Sequence, residues 1–223
     1  MKPNFDAVFM LEVFPRIIQY IHITLSITII SMIVGLCIGT ALAIISIYKI
    51  KLLYPISKIY ISFFRGTPLL VQLFLLYYGI PQIVPQFASI SAYSAAFIGL
   101  SLNSAAYMSE IIRSAINAVD KGQMEACLSV GMSSLQGMRR IILPQAARIA
   151  IPPLGNTFVS LLKESSLAFT LGVSEMLAQA KMSAAATYKF FESYLAVALI
   201  YWFITVLVTY IQNKLEEKMN KAY

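Results

Sequence analysis

The stretch GTPLLVQLFLLYYGIPQIVPQFASISAYSAAFIGLSLNSAAYMS, residues 66–109, contains no charged residue. It is too long for one membrane-spanning helix, which needs about 20 mostly apolar residues to cross the hydrocarbon core of a bilayer. Two prolines and a run of polar residues, at positions 81–94, divide it. The stretch therefore predicts two spanning helices, at about 59–80 and 93–116, and with them an all-α membrane protein.

The composition of the whole chain agrees with this prediction. Of the 223 residues, 59% are hydrophobic and 12% are charged, and the mean hydropathy is +0.75. Soluble domains are about half apolar and about a quarter charged, so a single water-soluble core has no room for this much apolar surface. Two cysteines are too few for a secreted disulfide scaffold. With His22 as the single histidine, we expect neither a metal site nor a cofactor.

Three further apolar segments have the length of a span. Together with the first two they predict five transmembrane helices, in a single domain over residues 1–223. The fourth span is interrupted by Lys163 and Glu164. The three further segments are 22–48, 149–173 and 194–212.

The first span and the residues before it carry two local signals. Gly35 and Gly39, with Ala43 one turn on, are small residues at helical spacing, which allows another helix to approach closely. The apolar residues within 5–11 stand beside acidic residues and lack the pattern of a cleaved signal peptide. They predict a short helix lying at the membrane interface.

The distribution of basic residues predicts the orientation. Five spans put the two termini on opposite sides of the membrane, and the side richer in lysine and arginine faces the cytoplasm. With a cytoplasmic C-terminus, the inside segments hold Lys49, Lys51, Lys58, Lys121, Arg139, Arg140, Arg148, Lys214, Lys218 and Lys221. The outside segments hold Lys2, Arg16, Lys181 and Lys189, balanced by Asp6, Glu12, Glu175 and Glu192. We therefore predict the N-terminus outside and the C-terminus inside. The net charge of +7 is then a topology signal and indicates no nucleic-acid partner.

Polar and ionisable residues occur within three of the predicted spans, where they are costly unless they face a protein interior or a water-filled path. They lie on three different helices at compatible depths, which favours a solute path. The alternative is that they only fix helix packing, with Glu110 paired to Arg113 and Lys163 paired to Glu164 across helices. The residues predicted to line the path are Arg65, Thr67, Gln72, Asn103, Tyr107, Glu110, Asn156, Lys163 and Glu164.

The longest hydrophilic segment, residues 117–148, lies between the third and fourth spans. Its middle predicts a short helix that ends at Gly131, and Ser133 and Ser134 start another. Pro144 lies near the start of the fourth spanning helix, where a missing N–H costs least. A short helix tied to two spans can act as a lever, although an ordinary amphipathic connector fits the same composition.

This loop carries a resemblance to a known family. The pattern Glu125-Ala126-Cys127, three residues, Gly131, nine residues, Ile141, then Leu143-Pro144 resembles the loop signature of permease subunits of bacterial ATP-binding-cassette importers. Cys127 stands where the family usually has alanine. Further segments resemble the polar amino acid branch of that family, which takes basic and acidic amino acids, glutamine, histidine and cystine. These segments are 64–72, 106–113, 122–126, 143–146 and 162–167.

The resemblance implies a function and a set of partners. It implies a multi-pass protein of the bacterial cytoplasmic membrane that imports cystine or another polar amino acid. Such permeases pair with themselves or with a sister permease, bind two ATPase subunits, and receive solute from an extracytoplasmic binding protein. The cytoplasmic helix would dock on the ATPase as a coupling helix. The residues implied in coupling are Gly122, Gln123, Glu125, Ala126 and Gly131.

The remaining sequence agrees with a transport subunit that is not itself an enzyme. No G-x-x-x-x-G-K-[ST] phosphate-binding loop occurs in the chain, so we expect a partner subunit to hydrolyse ATP. A self-contained channel or ion-coupled transporter is the alternative, and the lack of an internal repeat argues against it. A membrane-embedded enzyme using Glu110 and Lys163 as an acid–base pair is a third reading, but no metal-ligand spacing supports it.

Overall fold

The computed structural model describes residues 5–220, and that range is helical without a strand. Lys2 and Lys221, which contributed to the charge asymmetry, lie outside the described residues. Two π-helical segments (Leu75–Gly79 and Met138–Ile142) and two 3₁₀ segments (Pro85–Phe87 and Ser165–Leu171) connect or extend the α-helices. The α-helices are α1 Ala7–Ile18, α2 Ile21–Tyr48, α3 Leu53–Gly66, α4 Leu69–Phe74, α5 Ile80–Ile83, α6 Ala92–Ala118, α7 Lys121–Ser129, α8 Ser134–Gly137, α9 Leu143–Glu164, α10 Met176–Thr187 and α11 Phe190–Asn220.

Helices α2 and α6 pack side by side and run parallel. The Tyr93 hydroxyl donates to the Ser26 hydroxyl (2.8 Å), and Gly39 lies against the backbone of Ala105, so the contacts advance along both helices in the same direction. A Cβ added at Gly39 would lie 2.9 Å from the Ala105 carbonyl oxygen. A Cβ added at Gly35 would meet the Ser104 hydroxyl and lie 3.3 Å from the Ser101 carbonyl oxygen. The close approach predicted for the two glycines is therefore confirmed.

The second predicted span, 59–80, is not one continuous helix. α3 ends at Gly66, and the helical segment Leu69–Ile83 leaves at an angle of 111°. The cause is Pro68, which lacks an N–H and biases the preceding residue towards an extended backbone. Thr67 has φ −121° and ψ 148° as this requires. Because α2 and α6 run parallel, the chain between them must return to the end at which α2 began.

Helices α9 and α11 each run antiparallel to the long helix that precedes them. The C-terminal end of α6 packs on the start of α9, where Ala115 shares a core cluster with Ala146, so the two run antiparallel. α11 runs antiparallel to α9, because the Gln212 side-chain amide donates to the Pro152 carbonyl (3.1 Å) near one end, while Leu162 packs on Ile200 further along.

Three helices of the described part of the chain are long and apolar enough to cross a membrane, namely α2, α6 and α11 within Phe190–Met219. The bent pair of helices, Leu53–Gly66 with Leu69–Ile83, makes a fourth if it counts as one span. α9 does not qualify by composition; it contains two internal prolines and ends in Lys163 and Glu164. The count of five spans and the orientation therefore stay predictions.

The short helix predicted before the first span is present as α1. Val13 and Ile17 are buried, whereas Leu11 on the opposite face is exposed. Asp6 caps the helix by accepting from the Phe9 N–H (2.9 Å), and the Lys189 ammonium donates to the same carboxylate. The Lys189 hydrogen bond, followed by that from Phe9, holds the pKa of the Asp6 carboxyl below its usual value. These contacts fix α1 to the segment between α10 and α11.

Candidate functional site

A cavity of about 920 Å³ lies between α6, α9 and the joint of α3 and α4. Its polar lining comes from all three of the predicted spans that contain polar or ionisable residues. Ser104, Ser114 and Thr157 also line it and were not singled out from the sequence, although they extend the same helical faces at spacings of three and four residues. The predicted residues that line the cavity are Arg65, Thr67, Asn103, Tyr107, Glu110, Asn156 and Glu164.

The carboxylate of Glu110 is held by two arginines. Arg113 donates to it from Nε (3.2 Å) and Nη2 (2.7 Å), and Arg65 Nη1 lies 3.9 Å from Oε2. The pairing of Glu110 with Arg113, which the packing alternative includes, is therefore present. The guanidinium of Arg65 also lies over the ring of Tyr107, 5.6 Å from its centroid. The cationic side of the cavity is thus an ordered group of side chains, in which Glu110 is already compensated.

Gln72 was predicted to line the solute path, but it does not reach this cavity. It is buried, and its Nε2 donates to the Thr67 hydroxyl (2.8 Å) and to the Phe64 carbonyl (3.1 Å). Its Oε1 accepts from Asn103 Nδ2 (2.9 Å), and Asn103 also donates to the Phe64 carbonyl (3.1 Å). These two amides satisfy carbonyl groups that the helix break leaves without a backbone donor. Gln72 holds the joint that presents Arg65 and Thr67 to the cavity.

Lys163 is likewise separated from the cavity. It lines a different hollow of about 340 Å³, together with Tyr194 and Tyr201 of α11. Successive residues on a helix point about 100° apart, so the neighbouring Glu164 faces the cavity while Lys163 does not. Within residues 5–220, no ion pair of Lys163 or Glu164 is found. The pairing of these two residues that the packing alternative includes is therefore absent from the described structure.

The predicted helix of the loop is present as α7, and both of its ends are capped. At the N-terminal end, the Asp120 side chain accepts from the Gly122 N–H (2.7 Å). At the other end Gly131 has φ +80°, and the Met132 and Gly131 N–H groups donate to the Cys127 and Leu128 carbonyls (both 3.0 Å). This pair of bonds is a Schellman motif. α7 is consequently a short helix with fixed ends.

A second capped helix follows α7 directly and ties it to α9. Ser133 begins α8 with a capping box, in which its side chain and that of Gln136 bond to each other's backbone N–H. Gly137 packs against Cys127 of α7, and the π-helical segment then leads into α9. α7 is thereby connected to α6 at one end and to α9 at the other by short, hydrogen-bonded segments.

The outer surface of the loop presents the carboxylate of Glu125 and exposed apolar groups. Glu125 is exposed, as are Gly122, Gln123 and Ala126. Val130 and Leu135 are 75% and 72% exposed. Exposed apolar groups clustered around polar ones are typical of an interaction site. The loop is therefore a candidate protein-binding surface, separate from the cavity.

Comparison with known proteins assigns the chain to a family. Residues 35–221 match the model of the binding-protein-dependent transport system inner membrane component. The chain belongs to this family. It is a membrane component of a transport system, and in this permease family the ATPase is a separate subunit.

Individual relatives cover nearly the whole permease. The chain is 56% identical over 218 residues to the probable amino-acid permease protein YxeN of Bacillus subtilis (strain 168), covering 98% of this chain and 97% of that protein. It is 37% identical over 225 residues to the L-cystine transport system permease protein TcyL of the same organism, covering 99% and 94%. A solved amino acid ABC transporter with histidines contains a chain 36% identical, with a TM-score of 0.89 over 96% of this chain and 99% of that one.

Proposed function

We propose that this permease is the subunit through which an ATP-driven importer moves a polar amino acid across the bacterial cytoplasmic membrane. The observation that carries the proposal is the cavity of about 920 Å³, which has polar and charged walls within a bundle of otherwise apolar helices. Similarity to amino-acid permeases along nearly the whole chain supports it. Ionisable groups within spanning helices typically mark the path of a solute or an ion.

The lining of the cavity supports an amino acid as the solute. An amino acid presents a carboxylate and an ammonium, which need complementary charges to leave water. Arg65 offers a cation on one wall, and Glu164 offers a carboxylate on another that carries no ion pair in the described residues. Cystine, the solute in the name of one relative, carries two copies of each group and suits such a lining.

The directions of the helices support five crossings. α2 and α6 run parallel, the bent pair returns the chain between them, and α9 and α11 alternate after α6. α9 with its 3₁₀ extension then makes the fourth crossing despite its low hydropathy, since its charged end faces cavities and not only lipid. With basic residues concentrated on one side, the N-terminus lies outside and α7 lies in the cytoplasm.

The capped loop supports a coupling role. α7 is the coupling helix, and Glu125 with the exposed apolar side chains around it docks on an ATPase subunit. Because α7 is tied to both α6 and α9, a push on it tilts the two helices that wall the cavity. The functional unit comprises two permease subunits, identical or sister, two ATPase subunits, and an extracytoplasmic binding protein that delivers the solute.

Reconstitution of the complete transporter tests the proposal. The chain is purified with its co-encoded partners, placed in vesicles, and supplied with candidate amino acids on the binding protein. We expect one or a few polar amino acids to stimulate ATP hydrolysis and to accumulate in step with it. Solute passage at the full rate through the isolated chain, without an ATPase subunit, would contradict the proposal and indicate a channel.

A further inference from the structure

A second cavity, of about 560 Å³, lies where the C-terminal halves of α2 and α6 meet α3. It opens at the same end of the helices as α7, since Lys49 follows α2 and Asn117 lies in the last turn of α6. Among residues 5–220, three cations line it, Lys49, Lys58 and Arg113, against the single carboxylate of Glu110. The hydroxyl and amide groups beside them belong to Ser46, Tyr54, Ser62 and Asn117. We refer to this cavity as the basic cavity.

The positive charge of the basic cavity is not balanced by its own residues. Glu110 already accepts two hydrogen bonds from Arg113. In the part of the chain that the structure describes, neither Lys49 nor Lys58 has a carboxylate within 4 Å. The Lys58 ammonium lies over the ring of Tyr54, 5.0 Å from its centroid. An anion with several oxygens would satisfy lysine, arginine and hydroxyl donors together.

We propose that the basic cavity binds the phosphate group of an anionic phospholipid. The cavity lies at the end of two apolar helices, so that a lipid headgroup lies at its level once those helices span a bilayer. Ile44 and Tyr48, which precede Lys49 on α2, are 47% and 57% exposed and offer an apolar surface for acyl chains. Basic pockets between spanning helices at the cytoplasmic face bind such headgroups. This inference rests on the orientation proposed above.

The bound phosphate is linked through Glu110 to the cavity of about 920 Å³ described above, here called the solute cavity. This residue lines both cavities, with Arg113 on the basic side and Arg65 on the solute side. A phosphate that engages Arg113 competes with Glu110 for that guanidinium. The carboxylate is then left to Arg65 and to whatever occupies the solute cavity. Lipid and solute binding are consequently coupled, and each alters the affinity of the other by the same factor.

A double variant and a control at a single neighbouring lysine test the site. Lys49→Gln with Lys58→Gln removes two cations of the basic cavity, whereas Lys51→Gln removes an exposed cation of the same segment that does not line it. The complete complex is placed in nanodiscs of phosphatidylcholine and titrated with phosphatidylglycerol, and retained lipid is measured by native mass spectrometry. We expect binding by the double variant to be about thirtyfold weaker, and binding by Lys51→Gln to match the unaltered complex.

Three results would overturn the proposal. Equal weakening by Lys51→Gln would show general attraction to a charged surface. Displacement of the lipid by inorganic phosphate at equal concentration would identify a soluble anion as the ligand. A crosslink from residue 58 to an acidic side chain of the ATPase, with no lipid retained, would assign the cavity to that subunit. Lipid retention is measured without turnover, so a failure of import would count against the proposed function and not against this site.

Discussion

At the residue scale, the side-chain amides of Gln72 and Asn103 repair a break in the backbone hydrogen bonding. The break at Thr67 and Pro68 leaves carbonyl groups at the end of α3 without helical donors, and Pro68 has no N–H to offer. In the hydrocarbon core, an unsatisfied backbone group costs several kcal/mol. Both amides donate to the Phe64 carbonyl and bond to each other. A sharp bend beside the cavity is thereby tolerated.

Replacement of Gln72 by leucine should destabilise the protein. Gln72→Leu keeps a similar volume but removes the donor to the Thr67 carbonyl, one of two donors to the Phe64 carbonyl, and the acceptor of the Asn103 amide, at a cost of about 1–3 kcal/mol. The midpoint of thermal unfolding of the purified complex should fall. Gln82→Leu is the control, because Gln82 is exposed on the same helical arm. An equal fall for both variants would contradict the role assigned to Gln72.

At the element scale, the contact of α2 with α6 depends on the absence of side chains. Gly39→Ala places a Cβ 2.9 Å from the Ala105 carbonyl oxygen and 3.0 Å from Met108 Cβ, so the two helices must separate. Overpacking of this kind costs about 1–3 kcal/mol, which should lower the thermal midpoint. Gly66→Ala is the matched control, since nothing lies within 4 Å of its added Cβ; a comparable loss there would refute the explanation.

Helix α7 can transmit force from an ATPase subunit only if its exposed face, which carries Glu125, stays bound to that subunit. Glu125→Lys reverses the charge on its exposed face without touching either cap. Loss of a charged contact at an interface costs about 2–5 kcal/mol, so solute-stimulated ATP hydrolysis and import should both fall more than about tenfold. Glu217→Lys makes the same charge change at an exposed site near the end of α11 and should transport normally. Normal import by Glu125→Lys would rule out the coupling role.

At the scale of the whole molecule, the orientation decides which face meets the ATPase. In a background with Cys37→Ala and Cys127→Ala, single cysteines are introduced as Leu11→Cys on α1 and Lys218→Cys near the end of α11. With the positive-inside rule governing insertion, a membrane-impermeant maleimide should label position 11 in intact spheroplasts and position 218 only after permeabilisation. The reverse pattern would place α7 outside the cell and invalidate the coupling proposal.

The parts of this architecture that sequence could predict are those fixed by local spacing. Asn103, Tyr107 and Glu110 follow the period of one helix, and they line one wall of the cavity as expected. Gly131 and Ser133 end and begin helices through bonds within a few residues. Pro68 accounts locally for the 111° bend, but the position of Gln72 depends on Asn103, which is 31 residues away in the chain. The side of the bundle that Lys163 faces depends on how α9 is rotated against α11. Neither the contact of Gln72 with Asn103 nor the packing of α9 on α11 leaves a local pattern in the sequence.

The glycine seam between α2 and α6 has a mechanical consequence. Because α2 and α6 are in close contact at Gly35 and Gly39, they cannot slide or hinge against each other. The pair therefore behaves as one rigid strut. Opening and closing of the large cavity must then come from movement of its other walls relative to this strut. The bend at Thr67 and the proline-containing part of α9 are where the chain can flex, so a push on α7 tilts the strut as one rigid piece relative to them.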